Sequence, residues 1–190
     1  MVRLILASAS PRRRELLLQM GISDFIVRPA LHEIEAEHLP PGEAVQAIAL
    51  AKGQAVAETA EPGELVLAAD TEVWFEGKLL GKPRDQADAI RMLKRLSGAK
   101  HTVYSGVALI LDGKALTGVE VTDVYFRDLS DAEIEAYVAT GEPLDKAGAY
   151  GIQGRAAHFV RRIEGDVYNV IGLPLCLVFE LTREMGVCLF

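Results

Sequence analysis

Short apolar runs alternate with helical apolar patterns through the first half of the chain. Residues 2–7, apart from Arg3, and residues 65–69 are short apolar runs, a pattern typical of buried strands. Helical spacing of apolar residues begins after Pro11 and again after Pro41, and proline suits the first turn of a helix. The pattern therefore predicts strands followed by helices, as in proteins that build a sheet from strand–helix units.

The second half of the chain is richer in β-forming residues. Two long runs, residues 102–111 and 115–126, meet at Asp112-Gly113, which is a strong hairpin signal. The other predicted elements are a strand over residues 25–27, a hairpin over 72–80, a helix after Asp85, a helix over 130–140, a strand over 158–163 and a helix over 173–185. Because strand–helix units occur together with a long antiparallel hairpin, we expect an α/β fold with a mixed sheet and helices around it.

Composition limits the classes of protein to consider. The chain has 190 residues, of which 50% are hydrophobic and 25% are charged, and this balance suits one globular domain over residues 1–190. The formal net charge is -7. Since proteins that bind nucleic acids usually carry a basic surface, we expect no nucleic-acid partner. Any phosphate site must then be a local cluster of cations.

Neither a secretory signal nor a membrane span is expected. Arginines follow the first apolar run, the reverse of the order in a signal peptide, and no apolar stretch is long enough to cross a membrane. Cys176 and Cys188 lack CxxC spacing, and we expect both to be buried, reduced thiols. The four histidines form no zinc-binding pattern and are interpreted as structural or surface residues. These features predict a cytoplasmic protein.

Three arginines, Arg12, Arg13 and Arg14, lie in the first turn of a predicted helix, just after Ser8 and Ser10. A helix N-terminus already carries partial positive charge, so this arrangement is unfavourable without an anion. With a phosphate present, the backbone N–H groups, serine hydroxyls and guanidinium groups would all bind it. The alternative is that the arginines point into water, and their position in the sequence leaves both interpretations open.

Asp70 follows directly after an apolar run, where a carboxylate could hold a divalent metal or act as general base for a water molecule. The alternative is an aspartate that caps a turn. Lys52 stands in line with the apolar stripe of the second predicted helix, which comprises Val45, Ile48, Ala49, Ala55 and Val56. A lysine there needs an anionic partner if its charge is buried, or it extends along the edge of the stripe into solvent.

Three further candidates lie in loops. Lys82, beside Pro83, could reach a phosphate as a point charge. Gln153 lies in the glycine-rich segment 145–154, where glycines allow close approach to a ligand and the planar amide matches the mixed donor and acceptor edge of uracil or thymine. Glu33 is one of several acids in a polar segment. Ordinary turns and solvated charges are the alternatives for all three. No Walker A pattern or GxGxxG pattern occurs.

These segments together resemble the Maf family, the septum-formation-inhibitor-related nucleotide pyrophosphatases. The segments that carry the resemblance are Leu6-Ala7-Ser8-Ala9-Ser10-Pro11-Arg12-Arg13, Ala69-Asp70-Thr71, Gly81-Lys82-Pro83, Leu96-Ser97-Gly98, Val121-Thr122-Asp123-Val124 and Gly172-Leu173-Pro174. The resemblance implies a fold shared with inosine triphosphate pyrophosphatases, in which an elongated mixed β-sheet is flanked by helices and a cleft lies between two lobes.

The resemblance also implies roles for individual residues. Asp70 would accept the proton of the attacking water. The phosphate and metal site would contain Ser8, Arg13, Glu33, Lys52 and Lys82. A divalent cation, Mg²⁺ or Mn²⁺, would be the cofactor, with Glu33 and Asp70 as its oxygen ligands.

The run from Glu142 to Gly154 is similar to that of the dTTP/UTP branch of the family, in which Arg12, Thr71 and Gln153 are the specificity positions. The resemblance thus implies hydrolysis of dTTP and UTP to the monophosphate and pyrophosphate, with removal of non-standard nucleotides as a role, and suggests a homodimer. Alternatives are a pyrophosphatase for 7-methyl-GTP, CTP or a modified pyrimidine triphosphate, and a cell-division regulator without catalysis.

Overall fold

The computed structural model describes residues 2–30, Ala36 and residues 38–189. The chain forms two compact units. Unit 1 comprises the described residues of Met1–Thr71, Ser105–Glu120 and Gly172–Phe190, and unit 2 comprises Glu72–Tyr104 and Val121–Ile171. The prediction of one domain over residues 1–190 stays a prediction, because compactness does not measure whether either unit folds alone.

Seven strands form one sheet in the described part of the chain. They are β1 Arg3–Leu6, β2 Phe25–Val27, β3 Glu64–Phe75, β4 Lys78–Leu80, β5 Lys100–Leu111, β6 Lys114–Phe126 and β7 Val160–Glu164. The order is β2-β1-β3-β5-β6-β7, and β4 pairs with β3. Strand β1 is parallel to β2 and β3, whereas β4 is antiparallel to β3 and β7 is antiparallel to β6. The predicted mixed sheet is confirmed.

Six α-helices accompany these strands among the residues that the structure describes. They are α1 Pro11–Gln19, α2 Pro41–Ala57, α3 Gln86–Leu96, α4 Asp131–Val138, α5 Val167–Ile171 and α6 Leu175–Met185. Three short 3-10 segments, Glu142–Asp145, Ala147–Ala149 and Arg155–Phe159, follow α4. None of the described helices combines the length and the apolar character that a membrane span requires.

Local sequence signals explain where two of these helices begin. At the start of α3, the Asp85 carboxylate accepts a hydrogen bond from the backbone N–H of Asp88 at 2.7 Å. At the start of α4, Ser130 and Glu133 form both hydrogen bonds of a capping box. Each cap satisfies backbone donors that the first turn of a helix leaves without an intrahelical partner.

In unit 1, helix α2 packs closely against the sheet. Ala49 and Val56 of this helix share a buried cluster with Val66 of β3. Gly106 of β5 permits the close approach, because a Cβ at that position would overlap the backbone carbonyl of Val45. This packing fixes the distance between α2 and the strands. It therefore also fixes the backbone positions from which the side chains of α2 extend.

The core of unit 2 is rich in aromatic side chains. The ring centroids of Phe126 and Tyr150 lie 4.9 Å apart in an edge-to-face arrangement, and those of Tyr137 and Phe159 lie 5.2 Å apart in the same way. Nε2 of the buried His101 is 2.8 Å from the Tyr150 hydroxyl oxygen. Burial lowers the pKa of His101 to about 4, so its imidazole is neutral at pH 7.

The position of Asp70 in its strand differs from the prediction. Asp70 does not end a strand, because β3 continues through it as far as Phe75. The second part of β3 pairs with β4, with Val73 opposite Leu80, so the backbone beyond Asp70 keeps its sheet partners. Asp70 therefore projects from the interior of a long strand, with strand residues both before and after it.

Two burial predictions are wrong. Ala55 is exposed, and Gly53 occupies the buried position of α2 instead. Cys176 and Cys188 are both exposed. Cys176 lies on the outer side of α6, where its sulfur contacts Glu180, and the buried positions of that helix are Leu175, Val178, Leu181 and Thr182.

Candidate active site

The residues predicted to form the site are distributed over both units. Unit 1 contains Ser8, Arg12, Arg13, Lys52, Asp70 and Thr71, and unit 2 contains Lys82 and Gln153. Glu33 lies outside the described residues. The proximity of the two sets of residues stays a prediction.

Lys52 and Asp70 form an ion pair in unit 1. The ammonium group of Lys52, on α2, donates a hydrogen bond of 2.7 Å to Oδ1 of Asp70, on β3. The two side chains are 21% and 15% exposed, respectively. Of the two interpretations of Lys52, the one with an anionic partner is therefore correct, and the partner is Asp70. Each charge offsets the cost of partly burying the other.

Arg13 is held by three hydrogen bonds. Its Nε donates to the carbonyl oxygen of Gly172 at 2.7 Å, and its terminal nitrogens donate to the hydroxyls of Ser8 at 3.0 Å and Thr71 at 3.3 Å. Burial lowers the pKa of Arg13, while the nearby charge of Asp70 acts in the opposite direction. The guanidinium stays protonated at any physiological pH. For Arg13, the interpretation that the side chain points into water is wrong.

The hydroxyl of Thr71 connects this arginine to the sheet. It lies 2.7 Å from the hydroxyl oxygen of Ser105 on β5 and 3.4 Å from the carbonyl oxygen of Gly172. Ser105 is fully buried. Thr71 and Arg13 are therefore fixed relative to each other by groups that lie far apart in the sequence.

The start of α1 brings further donors to the same region. Ser8 is buried, and its hydroxyl oxygen accepts hydrogen bonds from Arg13 and from the backbone N–H of Ser10 at 3.2 Å. Arg12 is half-buried in the first turn of the helix, whereas Arg14 is exposed. Unit 1 thus combines a helix N-terminus, a serine hydroxyl and a fixed guanidinium, the groups that proteins use to bind phosphate.

Ser105 and Gly172 were missed as site residues by the sequence analysis. Ser105 lies within a β-rich run, where a single serine is unremarkable. Gly172 belongs to a segment that carries the family resemblance, but its contribution is a backbone carbonyl, to which side-chain chemistry gives no clue. Both became apparent only from the contacts of Arg13 and Thr71.

In unit 2, the segments that carry Lys82 and Gln153 are joined by a backbone hydrogen bond. The N–H of Gly148 donates to the carbonyl oxygen of Gly81 at 3.1 Å. Lys82 and Gln153 are exposed, and Pro83 beside the lysine is buried. The two side chains that the sequence assigns to phosphate and base therefore project from connected loops.

Comparisons with known proteins agree with this architecture. A solved HAM1 protein from Coxiella burnetii has a TM-score of 0.51 and 18% identity, covering 96% of this chain and 100% of that one, and it shows the same fold. The dTTP/UTP pyrophosphatase of Moorella thermoacetica is 55% identical over 190 residues, which is 98% of this chain and 97% of that protein. The protein of the same name from Symbiobacterium thermophilum is 49% identical over 190 residues, 100% and 97% of the two chains. The family model described as Maf-like protein matches residues 3–185, and the chain therefore belongs to the Maf family.

Proposed function

We propose that this protein is a nucleoside triphosphate pyrophosphatase that hydrolyses dTTP and UTP to the monophosphate and pyrophosphate. The names of its relatives support this substrate choice. The observation that carries the proposal is the Lys52–Asp70 pair in the same unit as the fixed guanidinium of Arg13. An acceptor for a proton and cations for a triphosphate are the two requirements of the reaction.

In the proposed reaction, water attacks the α-phosphorus. A bond forms between the water oxygen and this phosphorus, the bond from the α-phosphorus to the bridging oxygen breaks, and pyrophosphate leaves. A carboxylate oxygen of Asp70 accepts the proton that the water loses. Lys52 already donates to Oδ1 of Asp70, so Oδ2 is the oxygen that we propose accepts the proton.

Arg13 binds the phosphates in this proposal. Its three hydrogen bonds within the protein use one N–H on Nε and one on each terminal nitrogen. A guanidinium has five N–H groups, so one on each terminal nitrogen has no acceptor among the described residues and can bind a ligand. Because the other bonds fix the plane of the group, those two donors keep a set direction, which favours a phosphate with matching oxygens. Ser8, Lys52 and Lys82 complete the proposed phosphate site.

A divalent cation, Mg²⁺ or Mn²⁺, is the proposed cofactor, held by Asp70 and Glu33. The described residues contain no cluster of three acidic, histidine or cysteine side chains that would hold a metal on its own. The Asp70 carboxylate is nevertheless the type of oxygen ligand that these hard cations prefer. When bound, the cation would neutralise phosphate charge as it develops. The remaining ligands would then come from Glu33 and the substrate.

Base recognition is assigned to Arg12, Thr71 and Gln153. The Gln153 side chain offers an N–H donor and a carbonyl acceptor in one plane, which suits the alternating acceptors and N–H of uracil and thymine. Removal of non-standard nucleotides is the proposed physiological role. A homodimer remains an expectation from the family resemblance, and a cytoplasmic location remains an expectation from the sequence pattern.

The test is a panel of dTTP, UTP, CTP and 7-methyl-GTP with Mg²⁺ or Mn²⁺, with nucleotide and pyrophosphate measured separately. We expect dTTP and UTP to have the highest kcat/KM. In water enriched with ¹⁸O, the label should enter the monophosphate and not the pyrophosphate, because the attack is at the α-phosphorus. Label in pyrophosphate would contradict the mechanism, and a preference for 7-methyl-GTP or CTP would contradict the substrate. Absence of all turnover would favour a non-catalytic regulator.

A further inference from the structure

In unit 2, the segment that carries Gln153 is hydrogen-bonded to one acidic side chain, that of Glu142. Glu142 lies just after α4 and is half-buried. Both of its carboxylate oxygens accept the backbone N–H of Arg155, at 3.1 and 3.2 Å. Its Oε1 also accepts the hydroxyl of Tyr137 at 3.2 Å. Glu142 therefore bonds directly to the backbone two residues after Gln153.

The other side of the same segment is bound through Tyr137. The Tyr137 hydroxyl oxygen accepts the backbone N–H of Gly151 at 3.3 Å, while it donates to Glu142. Within the segment, the N–H of Gly154 donates to the carbonyl oxygen of Gly151 at 3.0 Å. The backbone before and after the exposed Gln153 is thus hydrogen-bonded to one pair of side chains, the Tyr137 hydroxyl and the Glu142 carboxylate.

Two glycines of the segment are explained by this arrangement. A Cβ at Gly154 would overlap Oε1 of Glu142, and a Cβ at Gly151 would lie 2.7 Å from Cε of Lys146. The ammonium group of Lys146 in turn donates to the backbone carbonyl of Glu142 at 2.6 Å. Both glycines thus make room for protein side chains, and the predicted close approach of a ligand to this segment stays a prediction.

We propose that Glu142 is a positioning residue for base selection, acting by fixing the backbone that presents Gln153. This inference rests on the proposed function, in which Gln153 contacts the base. Uracil presents an acceptor, an N–H and an acceptor, whereas cytosine presents two acceptors and an amino group. Two hydrogen bonds to one base edge require the amide of Gln153 at a set distance and angle from the base, which a fixed backbone supports and a mobile segment does not. Loss of the carboxylate should therefore reduce discrimination more than it reduces turnover.

The experiment compares Glu142→Ala with the conservative Glu142→Gln and with Tyr137→Phe, which keeps the ring that packs on Phe159. The matched control is Glu135→Ala, an exposed acid of α4. For each protein, kcat and KM are measured with UTP and CTP, and dissociation constants are measured with non-hydrolysable analogues of both. Hydrogen exchange is followed at the amides of residues 151–155.

We expect Glu142→Ala to lower the UTP-to-CTP ratio of kcat/KM about tenfold or more, the scale at which a hydrogen-bonding site rejects a wrong partner. Its kcat with UTP should change far less than its KM. Exchange at residues 151–155 should accelerate, Glu142→Gln and Tyr137→Phe should be intermediate, and Glu135→Ala should match the unmodified protein.

Two results would overturn the inference. One is faster exchange with an unchanged UTP-to-CTP ratio, and the other is an equal fall in activity with both nucleotides. If the unmodified protein binds the UTP analogue selectively but turns over no nucleotide, the proposed function fails. The inference then stands if Glu142→Ala abolishes selective binding, and fails if selectivity survives.

Discussion

At the scale of single residues, Asp70 gives the sharpest test of the proposed reaction. Asp70→Asn keeps an oxygen that can accept from Lys52 but removes the base, so we expect kcat to fall about 10²–10⁴-fold. The control is Asp24→Asn, an exposed carboxylate of the same unit. Turnover of UTP measures the loss of activity, and the calorimetric Tm shows whether each variant is folded. A folded Asp70→Asn protein with near-normal kcat would exclude Asp70 as the base.

Arg13 tests whether directed hydrogen bonds or charge alone bind the triphosphate. Arg13→Lys keeps the charge but cannot reproduce three fixed bonds from a planar group. Hydrogen bonds to charged groups contribute about 1.5–3 kcal/mol each, so we expect the KM for UTP to rise about tenfold or more. Arg14→Lys, an exposed neighbour on the same turn, is the control. Equal KM values for the two variants would contradict the role of Arg13.

His101 predicts how stability depends on pH. Its pKa is about 4 in the folded protein, against an ordinary value of 6.5, so the unfolded chain binds more protons between these values. The contribution of His101 is therefore complete above pH 6.5 and is lost as pH falls towards 4, by about 3 kcal/mol in total. The free energy of unfolding of the unmodified protein and of His101→Gln, measured by urea from pH 7.5 to 4, should converge on acidification. A difference in unfolding free energy that stays constant with pH would show that the pKa of His101 is not lowered in the folded protein.

Single residues were easier to predict than their partners. The pattern around Lys52 predicted an anionic partner as one of two alternatives, but Asp70 lies on another element, and no sequence spacing joins the two residues. The same holds for Ser105 and Gly172, which hold Thr71 and Arg13 across 34 to 159 positions of the chain. The type of partner that a buried charge or hydrogen-bonding group requires follows from the residue itself. Which residue supplies that partner is determined by the packing of the fold.

At the scale of elements, the contact between α2 and β5 is the one most sensitive to volume. Gly106→Ala places a methyl group on the backbone carbonyl of Val45, which cannot rotate away. We expect a loss of about 1–3 kcal/mol in the free energy of unfolding, together with lower kcat because α2 carries Lys52. Urea denaturation and UTP turnover measure these effects.

The control for that substitution is Gly42→Ala in the first turn of α2. A Cβ there would lie 3.7 Å from Val119, an ordinary contact. Since alanine is a better helix residue than glycine, Gly42→Ala should leave stability unchanged or raise it by up to about 1 kcal/mol. Equal destabilisation by both changes would contradict the role assigned to the close approach at Gly106.

Elements with strong local signals were predicted correctly. The capping residues of α3 and α4 and the Asp112-Gly113 turn act within a few residues, and the structure has each of them. Helix α5 was missed because five residues are too few to show helical periodicity. It is held instead by long-range bonds, as the Asn169 amide donates to the carbonyl oxygen of Val103 and to the hydroxyl of Thr122.

At the scale of the whole molecule, ligand binding should appear as stability. A non-hydrolysable UTP analogue with Mg²⁺ at about 100 times its Kd contributes about 2.7 kcal/mol, which corresponds to a rise in Tm of about 5–10 °C for a chain of this size. Removal of the metal with a chelator should abolish most of this shift. An undiminished shift in the chelator would contradict a role for the metal in binding.

The fold class was predictable because mixed strand and helix patterns restrict the architecture to few solutions, and the match to the HAM1 fold agrees with this. The positions at which the chain divides into two compact units were not predictable from the sequence pattern. Strands β3, β5 and β6 each contribute residues to both units, so no composition change or linker marks a boundary in the sequence. Boundaries that cut through strands are a property of three-dimensional contacts alone.

The bond between the N–H of Gly148 and the carbonyl of Gly81 has a consequence for how this protein could acquire new substrates. In the proposed function, one loop presents the charge of Lys82 to the triphosphate and the other presents the amide of Gln153 to the base, and the two loops share this main-chain link. A substitution that shifts one loop would displace the other as well. Affinity for the triphosphate and specificity for the nucleobase would then change together. A change of nucleobase specificity should therefore require compensating substitutions in both loops.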